Sequence, residues 1–388
     1  MSSPSPPPSR NICHCLCRKR GRAPMEEGTR KRPWSDLPPE ILSMIGNRLC
    51  TRMDVLRFRS ICSSFRSSIP APRPWFPFRI PRVQRSTLFL KKTTVYALET
   101  PGGAATGPGR ARWVLKLEET ELGHMRMLSV FSRWRIRPSP RKFPMTFDFL
   151  QYRIVELCRG YFLDRGIGGL GQRYWGWWSD QNIFGLNAVM HPDCCVWSDL
   201  DQCSVYFIDE EGRLAYWKYG DENGSLVDDP KGGFYEDIAV YEGEVCVVDK
   251  LGSVSQLDSS FRLRSISAGP CGFSGGDYWK HLVVSSGDLY VVDRHERSFR
   301  TPEFRAYRLD RQCGRWEEVS SLGNSAFFIC DDCSFAVAAP EFAGCKGDCI
   351  YYKDRRSCWT PSPIENFLVF GLAERTTQVG GRLPGGRF

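Results

Sequence analysis

Histidine is scarce, with five in 388 residues. His124, His191, His281 and His295 are scattered, with no HExxH pair and no partnering acid, which excludes the helical zinc-hydrolase motif. Long apolar runs are also missing. The best stretch, Ser325 to Pro340, is interrupted by Asp331 and Asp332 and falls short of the ~18 residues a membrane helix needs. Met1 to Arg10 is rich in Ser and Pro with no apolar segment behind it, so no secretory leader is read there. The net charge is +9, but residues 1–33 carry eight Lys/Arg against two Glu, and the rest of the chain carries only +3. A basic stripe that could track a nucleic-acid backbone is therefore absent from the body.

Cysteine, glycine, proline and aromatics are not lacking. The chain holds 17 Cys, 36 Gly and 26 Pro, and aromatics make up 13%. An odd, scattered set of cysteines without a leader is expected to be reduced thiols in a soluble intracellular protein. The glycine, proline and aromatic content favours short strands and many turns over long helices.

Residues 1–33 are expected to be a disordered basic tail. Cys13-His14-Cys15-Leu16-Cys17 is too crowded for a structural zinc site. Arg18-Lys19-Arg20 and Arg30-Lys31-Arg32 either serve nuclear import or simply solubilise the tail, so the expected location is nucleus and/or cytoplasm. Met25 is an alternative start.

At Trp34 the pattern changes. Asp36-Leu37-Pro38-Pro39-Glu40 places an acceptor, two prolines and an acid where a helix begins. Ile41, Leu42, Ile45 and Leu49 recur at helical spacing. Asp54 is expected to cap a second helix with Val55, Leu56, Phe58 and Ile61, and Phe65 lies on a third. Pro70, Pro72 and Pro74 end the region. Three helices in 36 residues make too small an independent core, so the apolar stripe must be buried on the following domain or on another protein.

Leu37-Pro38, the spaced aliphatics Ile41, Ile45, Leu49 and Leu56, and the run Arg57-Phe58-Arg59-Ser60-Ile61-Cys62-Ser63-Ser64-Phe65-Arg66 together resemble the F-box, with Phe65 where Trp is commoner. The resemblance implies docking onto a Skp-type adaptor of an SCF (Skp–cullin–F-box) ubiquitin ligase through Leu37, Pro38, Ile41, Leu42, Ile45, Leu49, Leu56, Ile61, Cys62 and Phe65. The competing interpretation is a helical cap packed only on its own β domain.

Beyond Pro81 the chain is strand-like. Thr87–Leu90 and Thr94–Leu98 are β-rich, and Pro101–Gly109 is a loop. Gly243-Glu-Val-Cys-Val-Val-Asp249-Lys250 and Gly287-Asp-Leu-Tyr-Val-Val-Asp293-Arg294 align residue for residue, 44 positions apart. Gly347–Asp354 is a looser copy and Val205–Asp209 shares its end. A strand-built period of 40 to 50 residues is the signature of propeller blades; an irregular β-sandwich is the alternative. Asp209, Asp249, Asp293 and Asp354 recur at strand ends, where Asp side chains close turns.

This body resembles the KIB-type β-propeller that follows the F-box in a large plant group. The residues that carry the resemblance are Arg112–Glu119, Phe149–Tyr161, Val205–Asp209, His281–Leu289, Phe304–Asp310, Gly314–Val319 and Gly344–Tyr351. Gly166 to Asp193, rich in Gly and Trp, departs from the pattern.

Three motifs with chemical meaning are set aside. Gly166-x-Gly168-x-x-Gly171 leads into Tyr174-Trp175-Gly176-Trp177-Trp178, a poor helix for holding a pyrophosphate. Gly272-Phe273-Ser274-Gly275-Gly276 lacks the helix that a nucleophile elbow requires. Cys330-Asp-Asp-Cys333, with Cys345 and Cys349 after it, could form a thiolate zinc site, but buried structural thiols are the preferred interpretation. Trp175, Trp177 and Trp178 either pack between blades or form an exposed client-binding patch.

The expected architecture is mainly β with a small α head: tail 1–33, F-box 34–69, β-propeller 80–375 and a Gly-rich C-terminal tail 376–388. The expected role is a non-enzymatic substrate adaptor that joins a Skp-type adaptor, and through it a cullin ligase, to a client protein. No cofactor, metal, nucleic acid or membrane is expected. The alternative is a ligase-independent propeller that sequesters a partner such as a kinase; a propeller enzyme would need a carboxylate-and-tyrosine cluster that the sequence cannot assemble.

Overall fold

The computed structural model describes residues 34–49, 51–72, 76–83, 86–99, 112–120, 124–133, 135–136, 152–164, 186–193, 202–270, 278–296, 301–342, 344–353 and 367–380. Helix α1 (Pro39–Gly46) starts after Pro38 with no side-chain cap, and Glu40 lies in its first turn. Helix α2 (Arg52–Ser60) corrects one expectation. Its N-cap is Thr51, whose hydroxyl accepts the Asp54 N–H at 3.0 Å and donates back to the Asp54 carboxylate at 2.6 Å. Asp54 thus stands in the first turn, bonded to the Thr51 cap, and is not the cap itself. Helix α3 (Ser63–Ser68) carries Phe65.

The three helices do build a small core of their own. Leu42, Val55, Phe58, Phe65 and Ile69 are buried together, with the Phe58 and Phe65 rings 4.7 Å apart. Gly46 allows this, because a Cβ there would stand 2.5 Å from Ile69 Cγ2.

The body forms four sheets among the described residues. The first contains β1 (Phe78–Val83), β2 (Ser86–Glu99), β3 (Arg112–Glu119), β4 (Met125–Leu128), β5 (Arg153–Asp164), β6 (Leu186–His191), β7 (Ser204–Ile208), β8 (Leu214–Lys218) and β9 (Ser225–Leu226). The two short strands read from sequence at Thr87–Leu90 and Thr94–Leu98 are halves of the one long β2. Its first half pairs with β1 and its second half with β3, while β5 flanks both and carries a register shift at Val95/Tyr96. Such a bulge bends the sheet so that its two ends serve different cores.

The second sheet, β10 (Tyr235–Tyr241), β11 (Glu244–Asp249), β12 (Val254–Leu257) and β13 (Leu263–Ser267), is an antiparallel meander. So is the third: β14 (Tyr278–Ser285), β15 (Asp288–His295), β16 (Glu303–Asp310) and β17 (Arg315–Val319). The aligned segments of sequence are β11 and β15, the second strand of each. Both begin at a hairpin whose two turn residues have positive φ, Glu242-Gly243 and Ser286-Gly287, the geometry that matches strand twist. The fourth sheet holds β18 (Ser325–Ile329), β19 (Phe335–Ala338), β20 (Cys349–Lys353), β21 (Phe367–Gly371) and β22 (Thr376–Val379), with β18 and β20 parallel. β22 occupies the first positions of the expected C-terminal tail.

Successive sheets share apolar cores. The second packs on the third through Val248, Leu282 and Val291, and the third on the fourth through Phe304, Ile350 and Phe370. The first and last sheets meet through Val95, Ala97 and Val114 on one side and Ala326, Phe328 and Tyr351 on the other. Phe328 stacks on Phe335 at 4.9 Å and on Tyr351 at 4.8 Å. The two ends of the β region thus join, the closure a propeller requires.

Asp209 and Asp249 close turns as expected: each carboxylate accepts two backbone N–H groups of the turn that follows. Asp293 does not, and this corrects the sequence reading. It lies within β15, opposite Lys280, whose buried ammonium donates to it at 2.6 Å. Asp354 lies outside the described residues. Cys203 departs from the expectation of reduced thiols, being disulfide-bonded. Cys330 and Cys349 are buried in the first–last sheet core, and Cys333 rests against Cys158.

Candidate docking face

The ten residues read as adaptor contacts separate into four groups. Leu42 and Phe65 are buried inside the head, so their apolar surface is already used. Leu37, Leu49 and Cys62 pack partly against that same core. Leu56 points elsewhere: with Met53 it packs on Tyr96, Leu98, Trp113 and Ile154 of the first sheet. Leu42 and Phe65 are thus covered by the chain itself, which corrects their assignment to an outer contact face, while Leu56 is half-buried against the first sheet.

What remains is a face on α1. Ile41 is 41% exposed and Ile45 37%, one helical turn apart, and Met44 between them is 58% exposed. Pro38 at the head of the helix is exposed, and Trp34 and Ile61 add further exposed apolar surface. Sequence reading missed Met44 and Trp34. The signal for Met44 was available, since it stands three residues from Ile41 on the same helix face.

The head is anchored from its other side. Arg52 on α2 pairs with Glu119 at the end of β3, and Arg57 donates to the Ile154 carbonyl on β5. Burial first, then the neighbouring Glu156, pushes the Tyr96 hydroxyl in this interface up to about 12. The head is therefore partly a cap on its own β domain, but the cap is made by α2 and leaves the α1 face open.

A polar chain runs from Arg133, after β4, through β6 and β10 to β14. Arg133 Nη2 donates to Asn187 Oδ1 on β6 at 2.8 Å and to the Asp331 carbonyl after β18 at 2.9 Å. Asn187 Nδ2 stands 3.5 Å from Asp237 Oδ1 on β10, and Asp237 Oδ2 accepts the Leu282 N–H of β14 at 2.8 Å. Nothing in the sequence marks these residues as a set, because each lies on a different sheet segment.

Burial pushes the Asp237 carboxyl up to about 7, against the backbone N–H groups of Leu282 and Ile238 that favour its charge. In the unfolded chain the group titrates near its ordinary 3.8. Between these values the native state keeps a proton that the unfolded state has released, so stability falls as pH rises through this window. Asp237→Asn is expected to remove a fall of about 2–3 kcal/mol between pH 5 and pH 7.5. Urea midpoints of both proteins at pH 5 and pH 7.5 check this; parallel curves would refute it.

Trp175, Trp177 and Trp178, the expected client-binding patch, lie outside the described residues, as do Gly166–Gly171 and Gly272–Gly276. Among the described residues no group of three or more His, Cys, Asp or Glu is arranged to hold a metal ion, and no helix is long and apolar enough to cross a membrane.

Comparison with known proteins covers both parts. The family model described as KIB1-4 beta-propeller matches residues 85–376. A relative from Arabidopsis thaliana that carries an F-box protein name is 32% identical over 84% of this chain and 88% of its own length. The F-box proteins At2g26160 and At4g35733 of the same plant are each 26% identical, over 84% of this chain and 96% and 90% of their own lengths. A propeller family model over most of the body and F-box relatives over more than four fifths of the chain leave one conclusion, and the chain belongs to the plant F-box proteins with a KIB-type β-propeller.

Proposed function

We propose that this protein is the substrate-recognition adaptor of an SCF ubiquitin ligase, docking a Skp-type adaptor through the α1 face and presenting a client protein on the propeller. The observation that carries the proposal is the exposure of Ile41, Met44 and Ile45 on a helix whose neighbour α2 is fixed to the first sheet. Apolar surface left open on an otherwise anchored element is a protein contact in waiting. The chain performs no bond chemistry in this role. It raises the effective concentration of client lysines near a ubiquitin-loaded conjugating enzyme. Its place of action is the nucleus and/or cytoplasm.

Mixing the purified full chain with a purified Skp-type adaptor tests this. One joint peak on size-exclusion chromatography, which then recruits a cullin, is the expected result. Separate elution at micromolar concentrations of both proteins would overturn it.

A further inference from the structure

Cys158 lies within β5 of the first sheet, and Cys333 lies in the turn between β18 and β19 of the last. They are 175 residues apart in the chain, yet their sulfurs are 3.5 Å apart. Glycine makes the approach possible. A Cβ at Gly160, two residues after Cys158, would come within 2.9 Å of Cys333 Sγ and 2.7 Å of Thr93 Oγ1. The turn is held in place by the residue next to Cys333: Asp332 is buried, paired with Lys116 of β3 and bonded to Thr93 of β2. Both residues keep some exposure, whereas Cys330 and Cys246 are buried.

We propose that Cys158 and Cys333 form a redox modification site, a reversible disulfide that staples the first sheet to the last across the closure of the ring. A small-molecule disulfide such as oxidised glutathione is the oxidant. One cysteine loses its proton and its thiolate attacks a glutathione sulfur, releasing one glutathione thiolate. The second cysteine, deprotonated in turn, attacks the mixed disulfide and releases the other. The pair gives up two electrons and two protons, and one oxidised glutathione becomes two reduced ones. Closing the gap asks for a sulfur movement of roughly 1.5 Å. The hydrogen bond to Cys158, together with burial, holds the Cys333 thiol well above its ordinary value. The exchange is therefore slow at neutral pH and quickens as pH rises.

The closed loop is long, so the staple acts strongly on the unfolded chain. The test incubates the full chain with oxidised glutathione, alkylates free thiols and maps peptides without reduction. The expected result is a cross-linked Cys158/Cys333 peptide pair and a thermal midpoint raised by about 5 °C, both reversed by dithiothreitol. Cys330→Ser keeps the cross-link and Cys158→Ser loses it. Exposed Cys313 reports that the oxidant has acted. If Cys313 is modified while Cys158 and Cys333 are both alkylated, or if Cys333 is joined to Cys330 or any other cysteine, the proposal fails.

Discussion

Asp332→Ala is expected to cost the full chain about 3–5 kcal/mol of stability, read from urea unfolding by tryptophan fluorescence. Lys116 and Asp332 have no solvent-exposed side-chain surface, and they join the first sheet to the last. Thr93 Oγ1 completes the carboxylate's shell at 2.7 Å. Without the carboxylate, the ammonium keeps only the Val130 and Ser132 carbonyls, at 3.4 and 3.3 Å. A buried charge left with neutral acceptors is far costlier than a missing surface ion pair. Lys116→Met/Asp332→Leu removes both charges at similar volume and is expected to recover most of the loss. A loss below about 1 kcal/mol for Asp332→Ala would mean that water replaces the carboxylate and the pair does not hold the closure.

The pH dependence of this pair follows from opposing effects. Burial is the largest single effect and disfavours both charges. Lys116 with Arg133 and Thr93 outweighs it at Asp332, and Asp332 with Cys333 and Cys330 outweighs it at Lys116. Asp332 therefore titrates below its ordinary 3.8 and Lys116 above its ordinary 10.5. Asp332's contribution is in place above that carboxylate value and is lost as pH falls through its depressed one. Lys116's contribution is in place below 10.5 and is lost as pH rises through its raised one. Across neutral pH the pair is constant, so it adds nothing to the difference between Asp237→Asn and the parent chain from pH 5 to 7.5.

The periodic and local parts of this fold were legible in the sequence. Hairpins such as Glu242-Gly243 and Ser286-Gly287 impose the same positive-φ geometry at the same point of two sheets, and that constraint is what a residue-for-residue repeat records. The division of the head was not legible. Ile41 and Leu42 are adjacent aliphatics on one helix, and the positions of α2 and α3 decide that Leu42 is enclosed while Ile41 faces outward. Asp293 looked like its repeat partner Asp249, yet one pairs with a buried lysine and the other closes a turn. The difference lies at the facing position on the neighbouring strand, Lys280 against Tyr235. Lys116 with Asp332 and Cys158 with Cys333 are contacts made by the closure of the ring, and Asn187 with Asp237 joins the first sheet to the second. Pairs separated by 216, 175 and 50 residues leave no spacing signal.

The same division of the head sets the expected effect of changing its outer face. Ile41→Asp/Ile45→Asp is expected to weaken affinity for a purified Skp-type adaptor at least 100-fold, measured by titration calorimetry, with the thermal midpoint of the isolated chain nearly unchanged. Two central apolar anchors at a protein interface are typically worth about 2 kcal/mol each on truncation, and a buried carboxylate adds its own desolvation cost. In the free chain both side chains already meet solvent, so Asp there disturbs little beyond helix propensity. Met53→Asp makes the opposite case. It buries a charge among Tyr96, Leu98 and Ile154, loosens the head from the first sheet and lowers the thermal midpoint, while leaving the α1 face chemically intact. The two variants thus separate adaptor docking from attachment of the head. Parental affinity in Ile41→Asp/Ile45→Asp would show that the α1 face is not the docking surface. Equal losses of affinity in both variants would show that the adaptor reads the head and first sheet as one surface.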